Sequence, residues 1–144
     1  MATDNYISVS REARMIAFQV LYEEDTVGHE WREVSSRYLD DRIVSADVTS
    51  NSYNLLRGVT DNRDELDHVI SGLAPMWPVS QISAVDRNLL RLGVYEITIG
   101  KESPTKLVIN EIVELAKMFG SDSSFKFING VLASLVNPKR LVAG

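Results

Sequence analysis

The sequence of 144 residues contains no cysteine. Disulfide bonds, thiolate zinc sites and cysteine nucleophiles are therefore excluded. Long hydrophobic runs are also missing, because the longest is the segment 15–18, far short of the roughly 18 residues that a membrane-spanning helix needs. The first ten residues have neither the basic start nor the apolar stretch of a secretory signal peptide. We therefore expect a cytoplasmic protein without a membrane segment.

The sequence also lacks the usual catalytic motifs. Its two histidines, His29 and His68, lie on different predicted elements, and neither belongs to an H-E-x-x-H metal motif. No glycine-rich phosphate loop precedes a lysine, and no G-x-S-x-G turn is present. We therefore expect a protein that is not an enzyme and that holds neither a metal nor a cofactor.

Positive charge is scarce, with 15 Lys and Arg against 20 Asp and Glu, which gives a net charge of −5. Such acidity is unusual for a protein that binds nucleic acid through general charge attraction. The shortage of basic relative to acidic side chains is confined to the first half of the chain. Residues 1–72 carry 7 basic and 14 acidic side chains, whereas residues 73–144 carry 8 and 6. A local basic surface is therefore compatible with the overall acidity.

Helical periodicity, by contrast, is present along most of the chain. Hydrophobic residues make up 44% of the sequence and recur at helical spacing, as at Val108, Ile112, Leu115 and Phe119. No segment alternates in the way that a half-buried strand does. A chain of this length is expected to form one domain, residues 1–144. We predict an all-α protein in which about six or seven helices form a compact bundle.

Capping residues predict where these helices begin and end. The segment 75–78, with a proline at each end, is the predicted boundary between two helical layers, because proline cannot donate a backbone hydrogen bond. A polar connector is predicted at 45–52. Seven helix starts are predicted: near Arg11 after a Ser10 cap, at 31, at 51, after Asp61 or Asn62, after Ser80 or Ser83, at Ser103-Pro104 and within 121–124. Gly100 is predicted to end the fifth helix in a left-handed conformation.

Two arginines near the predicted start of the first helix are candidates for phosphate recognition. Arg11 and Arg14 are three residues apart, so we expect both guanidinium groups to project from one polar face of that helix. A guanidinium matches phosphate oxygens bidentately and stacks on bases. The alternative is that both arginines pair with acidic side chains.

The segment Phe125-Lys126-Phe127 is a second candidate. Exposed aromatic rings beside a cation are typical of proteins that bind single-stranded RNA, because the ring stacks on a base while the cation contacts a phosphate. The alternative is that both rings belong to the hydrophobic core.

Five sequence stretches, taken together in this order, resemble the NusB family of bacterial transcription antitermination proteins. The resemblance extends from about Arg11 to Pro138. It is carried by the start around Arg11 and Arg14, by Ala17-x-Gln19-x-Leu21-Tyr22, by VDRNLLRLGVYEI (85–97), by INEIVELAKMFG (109–120) and by KFINGVL (126–132).

This resemblance implies seven helices in two small subdomains, with the break near 75–80, and a role that is not enzymatic. NusB proteins pair with the ribosomal protein NusE and bind boxA, a single-stranded element of nascent ribosomal RNA leaders, within an antitermination complex on RNA polymerase. The residues that the resemblance implies for RNA contact are Arg11, Arg14, Lys126 and Phe127. Those that it implies for contact with NusE are Asp122 and Ser123.

The start of the first helix departs from the family pattern. Many relatives carry two or three consecutive arginines there, whereas this chain has one arginine between Ser10 and Glu12. Fewer phosphate contacts predict weak binding that depends on NusE. The alternative function is a protein-only interaction module of the same fold, as a homodimer whose own interface masks the RNA-binding face.

Overall fold

The computed structural model describes residues 9–40 and 44–137. Within these ranges the protein is all-α, as predicted, with seven α-helices and no β-strand. No helix in these ranges has the length and apolar character that crossing a membrane requires. The helices are α1 (Arg11–Val27), α2 (Trp31–Asp40), α3 (Ala46–Asp61), α4 (Arg63–Leu73), α5 (Ala84–Tyr95), α6 (Thr105–Phe119) and α7 (Ser124–Val136).

Several helix ends follow directly from local chemistry. Ser10 Oγ accepts a hydrogen bond from the Ala13 amide at 3.1 Å, and Ser83 Oγ accepts one from the Asp86 amide at 3.2 Å. Each serine thereby satisfies an amide that has no partner within its own helix. Gly28 ends α1 with φ of 90°, a conformation that costs glycine little. The predicted starts of α1 and α5 are confirmed.

Two predicted boundaries were wrong. The segment 45–52 is not a connector, because Ser45 Oγ accepts from the Val48 amide at 3.1 Å and α3 already begins at Ala46. Gly100 is not the left-handed stop after α5. A π-helical turn, Glu96–Gly100, extends that helix, and the Lys101 amide donates to the Glu96 carbonyl at 2.9 Å. The wider turn moves the left-handed residue to Lys101, whose φ is 53°.

The chain divides into two compact units, residues 1–57 and 58–144. In the first unit α1 packs on α2, and the rings of Trp31 and Tyr53 lie 6.3 Å apart between centroids. Its core is formed by residues of α1, α2 and α3 with little or no exposed surface, among them Ile16, Leu21, Val34 and Leu56. Amphipathic helices thus bury one face each, as the periodicity predicts.

The second unit is built around α5, which packs against α4, α6 and α7. Gly93 on α5 allows this close approach. A Cβ atom there would lie 3.1 Å from Leu132 Cδ1 on α7 and 3.3 Å from Ile112 Cγ1 on α6. Buried apolar side chains along α5, including Leu89 and Leu92, complete the core.

The division after Arg57 lies earlier in the chain than the expected subdomain break near 75–80. The prolines of segment 75–78 do follow the end of α4, as expected. The next residues nevertheless stay in the same unit, because the 3-10 turn Val79–Gln81 packs back on α4 and Ile82 is buried. A change of chain direction at proline therefore does not separate two cores here.

Candidate nucleic-acid and partner interface

The two arginines of α1 occupy different environments in the first unit. Arg11 is exposed, whereas Arg14 is only 1% exposed and its Nη1 donates a hydrogen bond to the Val9 carbonyl at 2.8 Å. The prediction that both guanidinium groups project from the polar face is therefore wrong for Arg14. Arg14 lies three and seven residues before Ala17 and Leu21, so it shares the buried face of α1.

The other predicted RNA contacts lie in the first turn of α7, in the second unit. Lys126 is exposed, and its Nζ lies 5.9 Å from the centroid of the Phe125 ring. Phe127 packs edge-on against Trp77, with centroids 6.2 Å apart and ring planes at 74°. Both phenylalanines are partly exposed, so neither belongs fully to the core.

An open pocket of about 350 Å³ lies beside Phe127. Three separate segments of the second unit line it: the stretch after α4, the start of α5 and the start of α7. Trp77, 46% exposed, and Phe127 supply aromatic walls. The other lining residues are polar apart from one, namely Gln81, Ile82, Ser83, Asp86 and Ser123.

Asp86 gives this pocket an unsatisfied acceptor. Its Oδ1 is buried and finds no hydrogen-bond donor among the described residues. A buried acceptor without a partner is costly, and Asp86 also places a carboxylate in the lining of the pocket. Sequence reasoning missed Asp86 and Trp77 as site residues. Trp77 stands in the proline-flanked segment 75–78 and Asp86 in the stretch 85–97, and only the folded chain brings both beside Phe127.

The loop before α7 holds the residues predicted for partner contact. Asp122 and Ser123 are both exposed, and Ser123 also lines the pocket beside Phe127. The loop is tied to the helix, because the Ser121 amide donates to Ser124 Oγ at 3.0 Å. A residue predicted to contact the partner and a residue predicted to contact RNA therefore lie in the same pocket.

Partly buried hydrogen bonds of two arginines on α5 support the pocket. Arg87 Nη1 donates to the Ile82 carbonyl at 2.7 Å, which ties the chain before α5 to that helix. Arg91 binds Asp67 of α4 through two hydrogen bonds of 2.7 and 2.8 Å. These contacts fix the α5 wall of the pocket relative to α4. Among the described residues no group of three or more His, Asp or Glu is arranged to hold a metal ion.

An all-helical protein with an open aromatic pocket, next to exposed polar and cationic side chains, is typical of a protein that binds another macromolecule. Comparison with known protein families identifies the family to which this chain belongs. The NusB family model matches residues 11–137. The chain belongs to the NusB family, whose curated members are transcription antitermination proteins.

Relatives from several bacteria support this assignment. The transcription antitermination protein NusB of Dehalococcoides mccartyi strain CBDB1 is 44% identical over 125 residues, which cover 87% of each protein. The NusB protein of Herpetosiphon aurantiacus is 41% identical over 133 residues, covering 90% of this chain and 91% of the relative.

Solved structures share the fold. A chain in the crystal structure of antitermination factors NusB and NusE in complex with dsRNA superposes with a TM-score of 0.82 at 29% identity, covering 89% of this chain and 96% of that chain. NusB of T. maritima superposes with a TM-score of 0.81 at 29% identity, covering 87% and 88%.

Proposed function

We propose that this protein is a non-enzymatic RNA-binding factor that pairs with the ribosomal protein NusE. It binds single-stranded boxA RNA in nascent ribosomal RNA leaders, in the cytoplasm, within an antitermination complex on RNA polymerase. One observation carries the proposal: Ser123 and Phe127, expected to contact NusE and RNA respectively, line the same pocket. The related structure that contains NusB, NusE and dsRNA supports the choice of partners.

The pocket suits an unpaired base better than a duplex. Trp77 and Phe127 offer aromatic surface on which a base can stack only after it has left its own stack. Lys126, next to Phe127 in the chain and exposed, supplies charge for the phosphate. Single-stranded RNA provides both the free base and the accessible backbone.

Arg11 is the cation that α1 contributes to this function, because its side chain is exposed. Arg14 does not contact the RNA itself but helps to position Arg11. Its hydrogen bond to the Val9 carbonyl holds the residues that precede Arg11, so Arg14 determines where α1 presents its exposed arginine. One exposed arginine supports fewer phosphate contacts than two, which is consistent with dependence on NusE.

The partner surface begins at Asp122 and Ser123 and continues to Asp86, which lines the pocket. The carboxylates of Asp122 and Asp86 favour a basic partner. NusE binding at this surface would place a second protein beside the base-binding pocket. The complex would then offer RNA more contacts than this chain does alone.

The test is a binding measurement on the full chain with a single-stranded boxA oligomer at fixed salt, with and without NusE. We expect tight binding only when NusE is present, and a loss of about tenfold or more in Phe127→Ala, because stacking on one base is worth about 1–3 kcal/mol. Leu107→Ala, which shortens an exposed apolar side chain on α6, is the control and should bind as the wild type does.

Two results would contradict the proposal. One is the absence of boxA binding by the wild-type chain with saturating NusE. The other is a homodimer that persists with NusE present and binds no boxA RNA, which would favour the protein-only alternative, whereas a dimer that persists with RNA bound would rule out masking of the RNA-binding face.

A further inference from the structure

A second group of charged and aromatic side chains joins α6 to the start of α7. The Nζ of Lys117, on α6, lies 5.5 Å from the centroid of the Phe125 ring, and the Nζ of Lys126 lies 5.9 Å from the same centroid. Both ammonium groups are within the range at which an aromatic ring attracts a cation. The Phe125 ring therefore has one ammonium group from α6 and one from α7 near it, and we call Lys117 and Lys126 the lysine pair.

Lys117 is also bound by an acid. Its Nζ lies 3.0 Å from Glu114 Oε2, one turn earlier on α6, and both side chains are about half exposed. An exposed ion pair of this kind contributes little stability, so Lys117 can exchange Glu114 for another anion at small cost. Two ammonium groups beside one ring attract an anion more strongly than a single one does.

We propose that the lysine pair, positioned by Phe125, binds the sugar–phosphate backbone of the RNA across the first turn of α7 from the base-binding pocket, and that Glu114 competes with the RNA for Lys117. This inference rests on the proposed function and extends it, because Lys117 is not among the expected RNA contacts and Phe125 is assigned the role of positioning both lysines. The ligand is backbone rather than base, because ammonium groups act as point charges without the bidentate geometry that reads a base edge.

The lysine pair and the pocket lie on different sides of α7, so one RNA strand would have to cross the first turn of that helix to reach both. Residues two apart on a helix point roughly 200° apart, so Phe125 and Phe127 face different sides of α7. A strand whose base stacks at Phe127 must pass the first turn of α7, where Lys126 is exposed. Its backbone then reaches Lys117 by way of Phe125.

The charge of Lys117 is tested by salt dependence. We expect Lys117→Gln to weaken boxA binding in the presence of NusE by about fivefold at 0.1 M salt, and to reduce the slope of log affinity against log salt by about 0.7, the value for one phosphate contact on a single strand. Lys106→Gln makes the same charge change on α6, at an exposed position near the other end of the helix, and should leave the slope unchanged.

Substitutions at Glu114 and at Phe125 are expected to change RNA binding in opposite directions. Glu114→Gln frees Lys117 and should strengthen RNA binding, whereas the same change at Glu33, exposed on α2, should not match it. Phe125→Leu keeps an apolar side chain but removes the ring that attracts the ammonium groups. It should weaken binding although no charge is altered.

The outcomes separate this inference from the function on which it rests. If the wild-type chain does not bind boxA RNA with NusE present, both are overturned. If the wild type binds but Lys117→Gln retains the full salt slope, or Glu114→Gln binds no more tightly than Glu33→Gln, this inference alone is overturned. Thermal unfolding of each variant shows whether lost binding reflects lost folding.

Discussion

Arg91 and Asp67 form a two-point ion pair between α5 and α4, with Nε to Oδ1 at 2.7 Å and Nη2 to Oδ2 at 2.8 Å. The Arg91 side chain is 7% exposed and that of Asp67 is 27% exposed. The pair therefore lies at the edge of the core of the second unit. Its geometry matches the planar fork of a guanidinium to the two oxygens of a carboxylate.

Removing one partner of this pair is expected to destabilise the protein strongly. Asp67→Ala leaves a nearly buried guanidinium without its carboxylate, which should lower the free energy of unfolding by about 3 kcal/mol. Glu114→Gln is the matched control, because it breaks an exposed pair and should cost less than about 0.5 kcal/mol. Urea unfolding measures both, and equal losses would contradict the prediction.

Trp77 is expected to act in binding rather than in folding. It is 46% exposed and forms a wall of the pocket against Phe127. Trp77→Ala should reduce boxA binding by about tenfold, since stacking on one base is worth about 1–3 kcal/mol, while Trp77→Phe should retain most of it. The adjacent Met76→Ala removes an even more exposed side chain and should have no effect on affinity. Comparable losses in Trp77→Ala and Met76→Ala would show that the aromatic wall is not used.

Gly58 is expected to tolerate no larger residue, because Tyr95 packs directly on it. A Cβ at Gly58 would lie 2.1 Å from Tyr95 Cζ, and a Cβ at Gly100 would lie 3.1 Å from Tyr95 Cε2. The ring lies against both glycines, so a methyl group at Gly58 requires the Tyr95 side chain to shift. Gly58→Ala should cost about 1–3 kcal/mol of unfolding free energy through overpacking.

Two comparisons test this explanation. Gly72→Ala, near the end of α4, meets no atom within 4 Å and should stabilise the protein by about 0.5–1 kcal/mol, because alanine favours the helix. Combining Gly58→Ala with Tyr95→Leu should cost less than the sum of the two single changes. Additive losses would indicate that the Tyr95 ring is not what excludes the methyl group.

Glu23 is expected to make the first unit sensitive to acid. Hydrogen bonds from His29 and then from Arg37 lower the pKa of the Glu23 carboxyl below its usual value of 4.5. A carboxylate with a lowered pKa in the folded state stabilises the protein above its unfolded pKa, and this contribution is lost as the pH falls from about 4.5 through the folded value. Glu23→Gln should therefore reduce stability at pH 7 and much less at pH 3.

Urea unfolding of the wild type and of Glu23→Gln at the two pH values measures that difference. Asp40→Asn, at the exposed end of α2, is the control and should show a smaller change with pH. A stability difference for Glu23→Gln that persists undiminished at pH 3 would contradict the assignment.

Much of this protein was determined by the sequence alone, because the interactions concerned are local. A helix cap is a hydrogen bond between groups only three residues apart, so Ser10 and Ser83 predicted the starts of α1 and α5. The periodic apolar residues predicted the helices themselves, and the ordered motifs indicated the family. The Glu114–Lys117 pair also belongs here, since side chains three apart on a helix are neighbours.

The tertiary structure decided what depends on residues far apart in the chain. Arg14 is buried by tertiary packing, although a charged residue is usually exposed. The pocket forms where Trp77, Asp86 and Phe127 come together from three segments of the chain. The Lys117–Phe125 contact likewise required α6 and α7 to meet. Helical periodicity predicts which face of a helix is buried, but it does not predict which side chains of different helices meet or which buried polar atoms lack a partner.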